Sequence, residues 1–383
     1  MTEAIAELAD PVRQLPADPD EAPVDGVAVC LSGGGYRAML FHTGVLWRLA
    51  ETRWLHEVNR ISSVSGGSMT AGMLAKVWTE FHQAADPHQA FADLVVAPIR
   101  SLASRTIDKP SVISGLLSPF TTIGEQFEAE LRQHLLGDTM LADLPITPTF
   151  VFNSTNTGSG NLVRFSRDRI ADWRVGRVEH PELRLSAAVA ASSAFPPFLS
   201  PYRLDLGKAT WIDDKGNDLT GAEYRDEFAL TDGGVYDNLG LETAWKRCRT
   251  VFVSDAGGSL SPQADPAADW AQHMLRVTQL LDHQIRSLRK RQVIESFVQG
   301  RRDGAYVGIR SDITRYPAEK LLQAPFAVTT GIAEIKTRLK EMPDSDQERL
   351  INWGYAVGDA GLRSHLDTAA APPAAYPYAG GVA

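Results

Sequence analysis

The chain has 383 residues, 44% of them hydrophobic and 22% charged, with a formal net charge of −9. That composition excludes collagen-like, low-complexity and wholly disordered chains, and the acidic balance argues against a protein held on nucleic acid by bulk charge. With only two cysteines, Cys30 and Cys248, no disulfide framework is needed and a four-cysteine zinc site is impossible.

Residues 1–25 hold seven acidic residues, one arginine and four prolines, a solvated tail or a strap over the surface. They lack the basic start and apolar run of a secretory signal. No stretch approaches 18 uninterrupted apolar residues, so no membrane span is expected and the simplest expectation is a soluble, cytoplasmic protein. Next in the chain, an apolar run at 27–31 predicts a buried strand. A glycine-rich turn follows at 32–35, then a helix that places Leu40, Val45, Leu46, Leu49 and Leu55 on one buried face. A short strand at 61–64 and a helix at 68–79 come after it.

The region 101–143, with VISGLLSPF at 112–120, reads as core packing between two helices, or as a helical insertion covering a cleft. Further strands are predicted at 149–153, 162–165, 228–231, 250–254 and 305–309, with long helices near 270–297 and 347–365. The acidic stretch 213–218 fits a hairpin turn and not calcium-ligand spacing. Residues 368–383 carry no side-chain charge beyond 368 and several Pro and Gly, and read as a second tail. Strands alternating with helices predict a three-layer α/β/α sandwich with a mainly parallel central sheet. The expectation is a single domain over 26–367, large enough to carry helical insertions.

Three segments carry chemistry. CLSGGGYR at 30–37 joins a strand to a helix, and its glycines expose consecutive backbone N–H groups beside a helix N-terminus, where an anion is stabilised. Alone it is also an ordinary tight turn, and Gly33, Gly35 and Ala38 even satisfy the G-x-G-x-x-A dinucleotide pattern. The second segment, SSVSGGS at 62–68, approximates G-x-S-x-G around Ser65, with small Ser63 and Gly67 two positions to either side as a sharp elbow requires. A Ser/Gly loop with an N-cap serine is the plain alternative. A dinucleotide fold offers Asp or Glu at the end of its second strand. Ser65 stands there instead, which favours acyl transfer over a bound cofactor. The third segment, LTDGGVYDN at 230–238, puts Asp232 at a strand end before Gly233 and Gly234, projecting into the crevice where open α/β sheets bind ligands. An isolated Asp-Gly-Gly is equally an Asx turn.

In order, spacing and context these motifs resemble the patatin-like phospholipase family, from about Gly26 to about Gly258 and more weakly through the basic helix beyond. FNSTNT at 152–157, Arg164 and the small-residue stretch at 187–198 ending in Pro196 and Pro197 add to the likeness. Ser63 departs from it, since most members have Gly there. The resemblance implies a lipid acyl hydrolase with a Ser65–Asp232 dyad, no catalytic histidine and no cofactor. Gly33, Gly34 and Gly35 would form its oxyanion hole, and Arg37, Gly67, Gly233 and Gly234 would support it. An aspartate at its reference pKa of about 3.9 is a weak base, so oxyanion stabilisation would carry part of the work.

Competing readings remain at this stage. A Ser–His–Asp triad needs a histidine after Asp232, and His273, His283 and His365 all fall in long helices. Asp255, in VSDAGG, copies the look of Asp232, and Asp237 with Asn238 would support the Asp232 loop. A lipid- or acyl-binding regulatory module with a vestigial site, and a nucleotide-binding protein built on the glycine loop, are the alternatives outside catalysis. No zinc spacing is present. Residues 276–302 hold seven basic residues against Asp282 and Glu295, with Val277, Leu281 and Leu288 on one face. Such a helix offers a peripheral contact with an anionic lipid surface, or a solvated outer face.

Overall fold

The computed structural model describes residues 24–107, 123–336 and 338–383. Most of the acidic N-terminal stretch, and the 112–120 segment, lie outside the described residues.

One eleven-stranded sheet organises the chain. Its strands are β1 (Val24–Leu31), β2 (Arg60–Ser63), β3 (Thr149–Asn156), β4 (Asn161–Phe165), β5 (Arg169–Asp172), β6 (Gly176–Glu179), β7 (Tyr202–Asp205), β8 (Trp211–Ile212), β9 (Glu227–Asp232), β10 (Cys248–Asp255) and β11 (Asp303–Gly308). The spatial order is β11-β10-β1-β2-β3-β4-β5-β6-β8, with β9 also beside β3 and β7 beside β9. From β11 to β3 every neighbouring pair is parallel. The mainly parallel centre is therefore where the alternation of strands and helices put it. Beyond β3 the sheet continues as an antiparallel wing of short strands. In β1, Ala28, Val29, Cys30 and Leu31 are all fully buried, because helices cover both faces of a central parallel strand; that is why its sequence is a continuous apolar run rather than an alternation.

The helices that matter for the site are α1 (Gly35–Glu51), α2 (Gly66–Gln83), α3 (Leu185–Ser192), α4 (Trp270–Val298), α5 (Phe326–Ala333) and α6 (Asp344–His365). Residues 35–50 of α1 are all buried. Helix α6 crosses α1 at backbone contact. A Cβ on Gly44 would lie 1.9 Å from the Ile351 carbonyl oxygen, and one on Gly354 would lie 2.0 Å from that of Phe41. Near the far end of α1, Arg48 Nε donates to Asp359 Oδ1 at 2.8 Å, and Arg363 Nη2 reaches Asp359 Oδ2 at 2.7 Å. The first helix, and with it the glycine turn that precedes it, is thus fixed by packing and by a buried ion cluster.

The described part of region 101–143 contributes Leu102, Ala103, Phe127, Leu131, Leu135 and Leu136 to the core, while the 112–120 hydrophobes lie outside the described residues. One other expectation changes. Residues 368–383 are not a loose tail. Asn352, buried in α6, donates to the carbonyls of Tyr378 at 2.8 Å and Gly381 at 2.7 Å and accepts from the Tyr378 N–H at 3.0 Å, and Val382 is buried. Hydrogen bonds from Asn352, with Val382, Tyr376 and Tyr378 packed on the core, hold this segment, and its Pro, Gly and Ala-rich composition concealed that order. In α4 only Arg286, Val293 and Ser296 are buried. Leu281 and Leu288, of the apolar face read as open to a lipid surface or to solvent, are each 59% exposed. Among the described residues, no helix is long and apolar enough to cross a membrane.

Candidate active site

Strand β2 delivers Ser65 to the start of α2 in a backbone conformation of φ 53° and ψ −120°. A non-glycine residue with positive φ is strained and persists only where its surroundings hold it. Here they do. The Ser65 N–H donates to Ser192 Oγ at 3.1 Å. Ser192 and Ser68 hydroxyls are 2.8 Å apart, Ser68 donates to Ser63 Oγ at 3.0 Å, and Ser63 donates to the Val151 carbonyl at 3.2 Å. Proton counting orients the chain. Ser68 gives its proton to Ser63, so Ser192 must donate to Ser68. Ser63, the departure from the family's glycine, is a member of this buried relay. Gly66 lets the turn close, since a Cβ there would sit 2.2 Å from the Gly35 carbonyl oxygen.

Asp232 arrives from the other side. Strand β9 runs antiparallel to β3 with Asp232 opposite Ser154, two residues past Phe152, which lies opposite Ser63. The turn at the end of α3 ties both groups together. Ser192 Oγ holds Ser65, the Ala194 carbonyl accepts the Asp232 N–H at 2.9 Å, and the Ser192 carbonyl accepts the Gly233 N–H at 3.2 Å. Asp232 is 4% exposed and Ser65 8%. The Gly234 N–H donates to Asp232 Oδ1 at 2.8 Å. Among the described residues Oδ2 is buried without a hydrogen bond of normal geometry, while a looser hydrogen-bond contact from the Ser65 side chain favours the ionised form of the carboxylate. Catalytic contacts of this kind commonly tighten only when substrate is bound. Burial pushes the Asp232 carboxyl up to about 7; the Gly234 N–H and Ser65 pull it down, and repulsion from Asp282 adds to the rise.

The glycine turn lies against both. Gly33 packs beside Ser65, but its N–H donates to Asn238, to the backbone carbonyl at 3.1 Å and to Oδ1 at 2.9 Å. Gly33 is therefore an anchor and not a free donor, contrary to its expected place in an oxyanion hole. Gly34 and Gly35, with φ of 143° and 57°, open α1, and among the described residues their N–H groups have no partner. Arg37 does not face the site. Its guanidinium donates to the carbonyls of Ile335 at 2.8 Å and Ala256 at 3.0 Å, stitching the turn to the end of α5 and to the loop after β10. The remaining supports, Gly67 and Gly233, admit the Leu31 and Asn153 carbonyls, which would lie 2.5 Å and 2.2 Å from added Cβ atoms.

The rival residues separate cleanly. Asp255 also ends a strand and accepts the N–H two residues on, from Gly257 at 2.8 Å. Its Oδ2, however, is engaged by the Tyr306 hydroxyl at 2.5 Å, so both oxygens already serve the fold. No histidine hydrogen-bonds to Ser65 or Asp232 among the described residues. His42 is buried under the glycine turn, between Ser254 Oγ at 2.7 Å and the Ser32 carbonyl at 2.9 Å, and burial lowers its pKa to about 4. It is a neutral strut.

A family model described as patatin-like phospholipase matches residues 29–245, more than half of the chain and the stretch that holds the glycine turn, Ser65 and Asp232. The chain belongs to the patatin-like phospholipase family. Among solved structures, the human GIVD cytosolic phospholipase A2 is similar, with a TM-score of 0.50 and 15% identity over 94% of this chain. This chain spans 64% of that protein's length. VipD from Legionella pneumophila aligns over 89% of this chain and 67% of its own, at 15% identity and a TM-score of 0.38. No curated protein sequence matches the chain.

In this patatin-like chain four site neighbours take roles that the motifs did not assign to them, three from within the quoted stretches and one, Asp282, from outside them. Ser192 and Ser68 hold the elbow. Asn238 anchors Gly33 and donates to Asp282 Oδ1 at 3.0 Å, and Asp282, on α4, bears electrostatically on Asp232. Their only local signal is small polar residues beside the motifs. Exposed Phe195, Phe198 and Val235 follow closely on Ala194 and Gly234, so apolar surface adjoins the two residues that hold Asp232.

A raised carboxyl pKa has a stability consequence. The unfolded state ionises Asp232 near its reference value of about 4, while the folded state keeps the proton until about 7. Between those values the folded state binds more protons, so its stability falls as pH rises. Asp232→Asn keeps the acceptor for Gly234 and removes the charge. It is expected to be more stable than the parent by roughly 1–4 kcal/mol at pH 8 and equal to it at pH 4, as measured by urea unfolding at the two pH values.

Proposed function

We propose that the protein is a serine hydrolase of lipid carboxylic esters, of the phospholipase A or lysophospholipase type, working through Ser65 and Asp232. One observation carries the reading: beside Ser65 lies a buried carboxylate with one oxygen uncommitted and a pKa raised to about 7. A base tuned near the working pH combines a useful ionised fraction with real proton affinity. The weakness expected of a free aspartate is thereby largely removed, by burial.

The cycle runs in two halves. Ser65 Oγ attacks the ester carbonyl carbon while its proton passes to Asp232 Oδ2. The N–H groups of Gly34 and Gly35 receive the developing oxyanion, where a single donor is typically worth about 10²–10³ in rate. Collapse expels the alcohol, which takes the proton from Asp232, and leaves an acyl group on Ser65. Asp232 then accepts a proton from water as the water attacks the acyl carbon, and returns it to Ser65 Oγ as the tetrahedral intermediate collapses and the fatty acid leaves. Lipid contact falls to α4 as a peripheral attachment: Trp270, Met274, Leu281 and Leu288 are exposed on a helix rich in arginine, a combination that lies on anionic bilayers.

A fluorophosphonate probe is expected to label Ser65, with labelling and ester turnover both lost in Ser65→Ala. Peptide mass spectrometry that finds the probe on another residue of an active enzyme would remove the assignment. Because the base must be ionised, the acylation rate should rise with pH through about 7. Asp282→Asn, which removes a repelling charge while keeping an acceptor for Asn238, should shift that rising limb to lower pH in single-turnover kinetics. For the membrane contact, Leu281→Glu combined with Leu288→Glu should reduce hydrolysis of anionic vesicles several-fold and leave a soluble aryl ester unaffected; equal rates on vesicles would assign attachment to another surface.

A further inference from the structure

A second concavity opens beside the site, at the carboxyl ends of β10 and β11 under α4, with a volume of about 180 Å³. Neither Ser65, Asp232 nor the glycine turn lines it. Three fixed cations do, Arg286 and Lys290 from α4 and Arg310 from the loop after β11, against one carboxylate, Asp255. That carboxylate is committed to the Gly257 N–H and the Tyr306 hydroxyl. Lys290 makes no ion pair among the described residues; its Nζ stands 4.9 Å from the centre of the Tyr306 ring. Arg310 reaches Glu334 with one nitrogen at 2.8 Å, and among the described residues its buried Nε has no hydrogen-bond partner. Arg286 is fixed by donating to the Gly258 carbonyl. Behind them, buried Arg37 has its pKa pushed down to about 10, by burial first and then by repulsion from Arg286 and Arg310. Asp255 and Glu334 offset part of that repulsion, and Lys290 is left as a lining cation with no ion pair among the described residues.

We propose that this cavity binds a phosphate group. It is smaller than the roughly 300 Å³ and upward of pockets that enclose whole small molecules, so it suits a group and not a lipid. Guanidinium and ammonium donors converging at the carboxyl ends of parallel strands suit a tetrahedral oxyanion. Two sources share this chemistry, the headgroup phosphate of a lipid substrate and a free phosphate or phosphomonoester. The headgroup source rests on the hydrolase reading above. It is sterically natural because Arg286 lies one helical turn from Asp282, which accepts from Asn238, which in turn holds Gly33.

The test uses the full chain and Lys290→Gln combined with Arg310→Gln, two side chains outside the catalytic set and accessible to solvent. Calorimetric titration with inorganic phosphate and with glycerol 3-phosphate should show saturable binding that the double substitution weakens by roughly tenfold or more, the loss typical of charge-assisted hydrogen bonds. A parallel assay compares kcat/KM for a short-chain phosphatidylglycerol with that for the diacylglycerol of the same chains. If the headgroup is the ligand, the phospholipid-to-diacylglycerol ratio falls about tenfold in the variant while hydrolysis of a soluble aryl ester is unchanged. If free phosphate is the ligand, binding is lost and the ratio holds. Binding that survives the substitutions overturns the proposal, as does the absence of binding together with an unchanged ratio. Should the protein hydrolyse no ester, the hydrolase reading fails and the titration alone decides the cavity. If the double variant does not fold, Lys290→Gln alone is used in both assays.

Discussion

A buried carboxylate that is only half satisfied is the constraint around which this site is built. Folding ordinarily pairs both oxygens of an interior aspartate or leaves the group in water. Asp255, at the end of the next strand in the chain, shows the ordinary solution, with one oxygen on a backbone N–H and the other on a tyrosine hydroxyl. Asp232 has the same backbone N–H contact, but among the described residues its Oδ2 has no hydrogen bond of normal geometry, and the hydroxyl that acts on the carboxylate is that of Ser65. The difference between a structural aspartate and a proposed catalytic one is here which hydroxyl faces it, and how closely.

Holding such a group in place requires rigidity from elsewhere. The turn that ends α3 supplies it, with one serine hydroxyl for the elbow and two carbonyls for the Asp232 strand end. The serine relay drains every proton toward the Val151 carbonyl in β3, so the elbow's backbone N–H is consumed in positioning. Under the proposed mechanism, donors for the oxyanion must then come from another loop. Gly34 and Gly35 are fixed by the opposite device, a helix that packs through glycine against α6 and leaves the first N–H groups of its own N-terminus free.

What the sequence disclosed was whatever local geometry forces upon it. A turn that brings backbones to contact needs glycine, an elbow needs small neighbours, and an aspartate at a strand end beside glycines is readable as such. The parallel centre was legible for the same reason, since strands buried on both faces are apolar throughout. Contacts between distant segments were not. Ser192 is 127 residues from Ser65, and nothing in AASSAF distinguishes its hydroxyl from that of Ser193. Gly33 looked like one more open donor, because the Asn238 that occupies it lies 205 residues away. The pKa of Asp232 depends on burial, which no residue letter carries. Segment 368–383 looked loose because Asn352 organises it by hydrogen bonds, and the apolar residues of α4 gave no sign of which face turns outward.

That last feature reaches into the chemistry. Helix α4 spans 29 residues with three of them buried, so it rides on the domain more than it belongs to it. The same rod presents Leu281 to solvent and, at the next position, Asp282 to the Asn238 that anchors the glycine turn. Adjacent residues on a stiff helix cannot be displaced separately. Any surface that tilts the helix by pressing on its outer side also changes the distance between Asp282 and Asp232, and with it the proton affinity of the group on which the proposed chemistry depends.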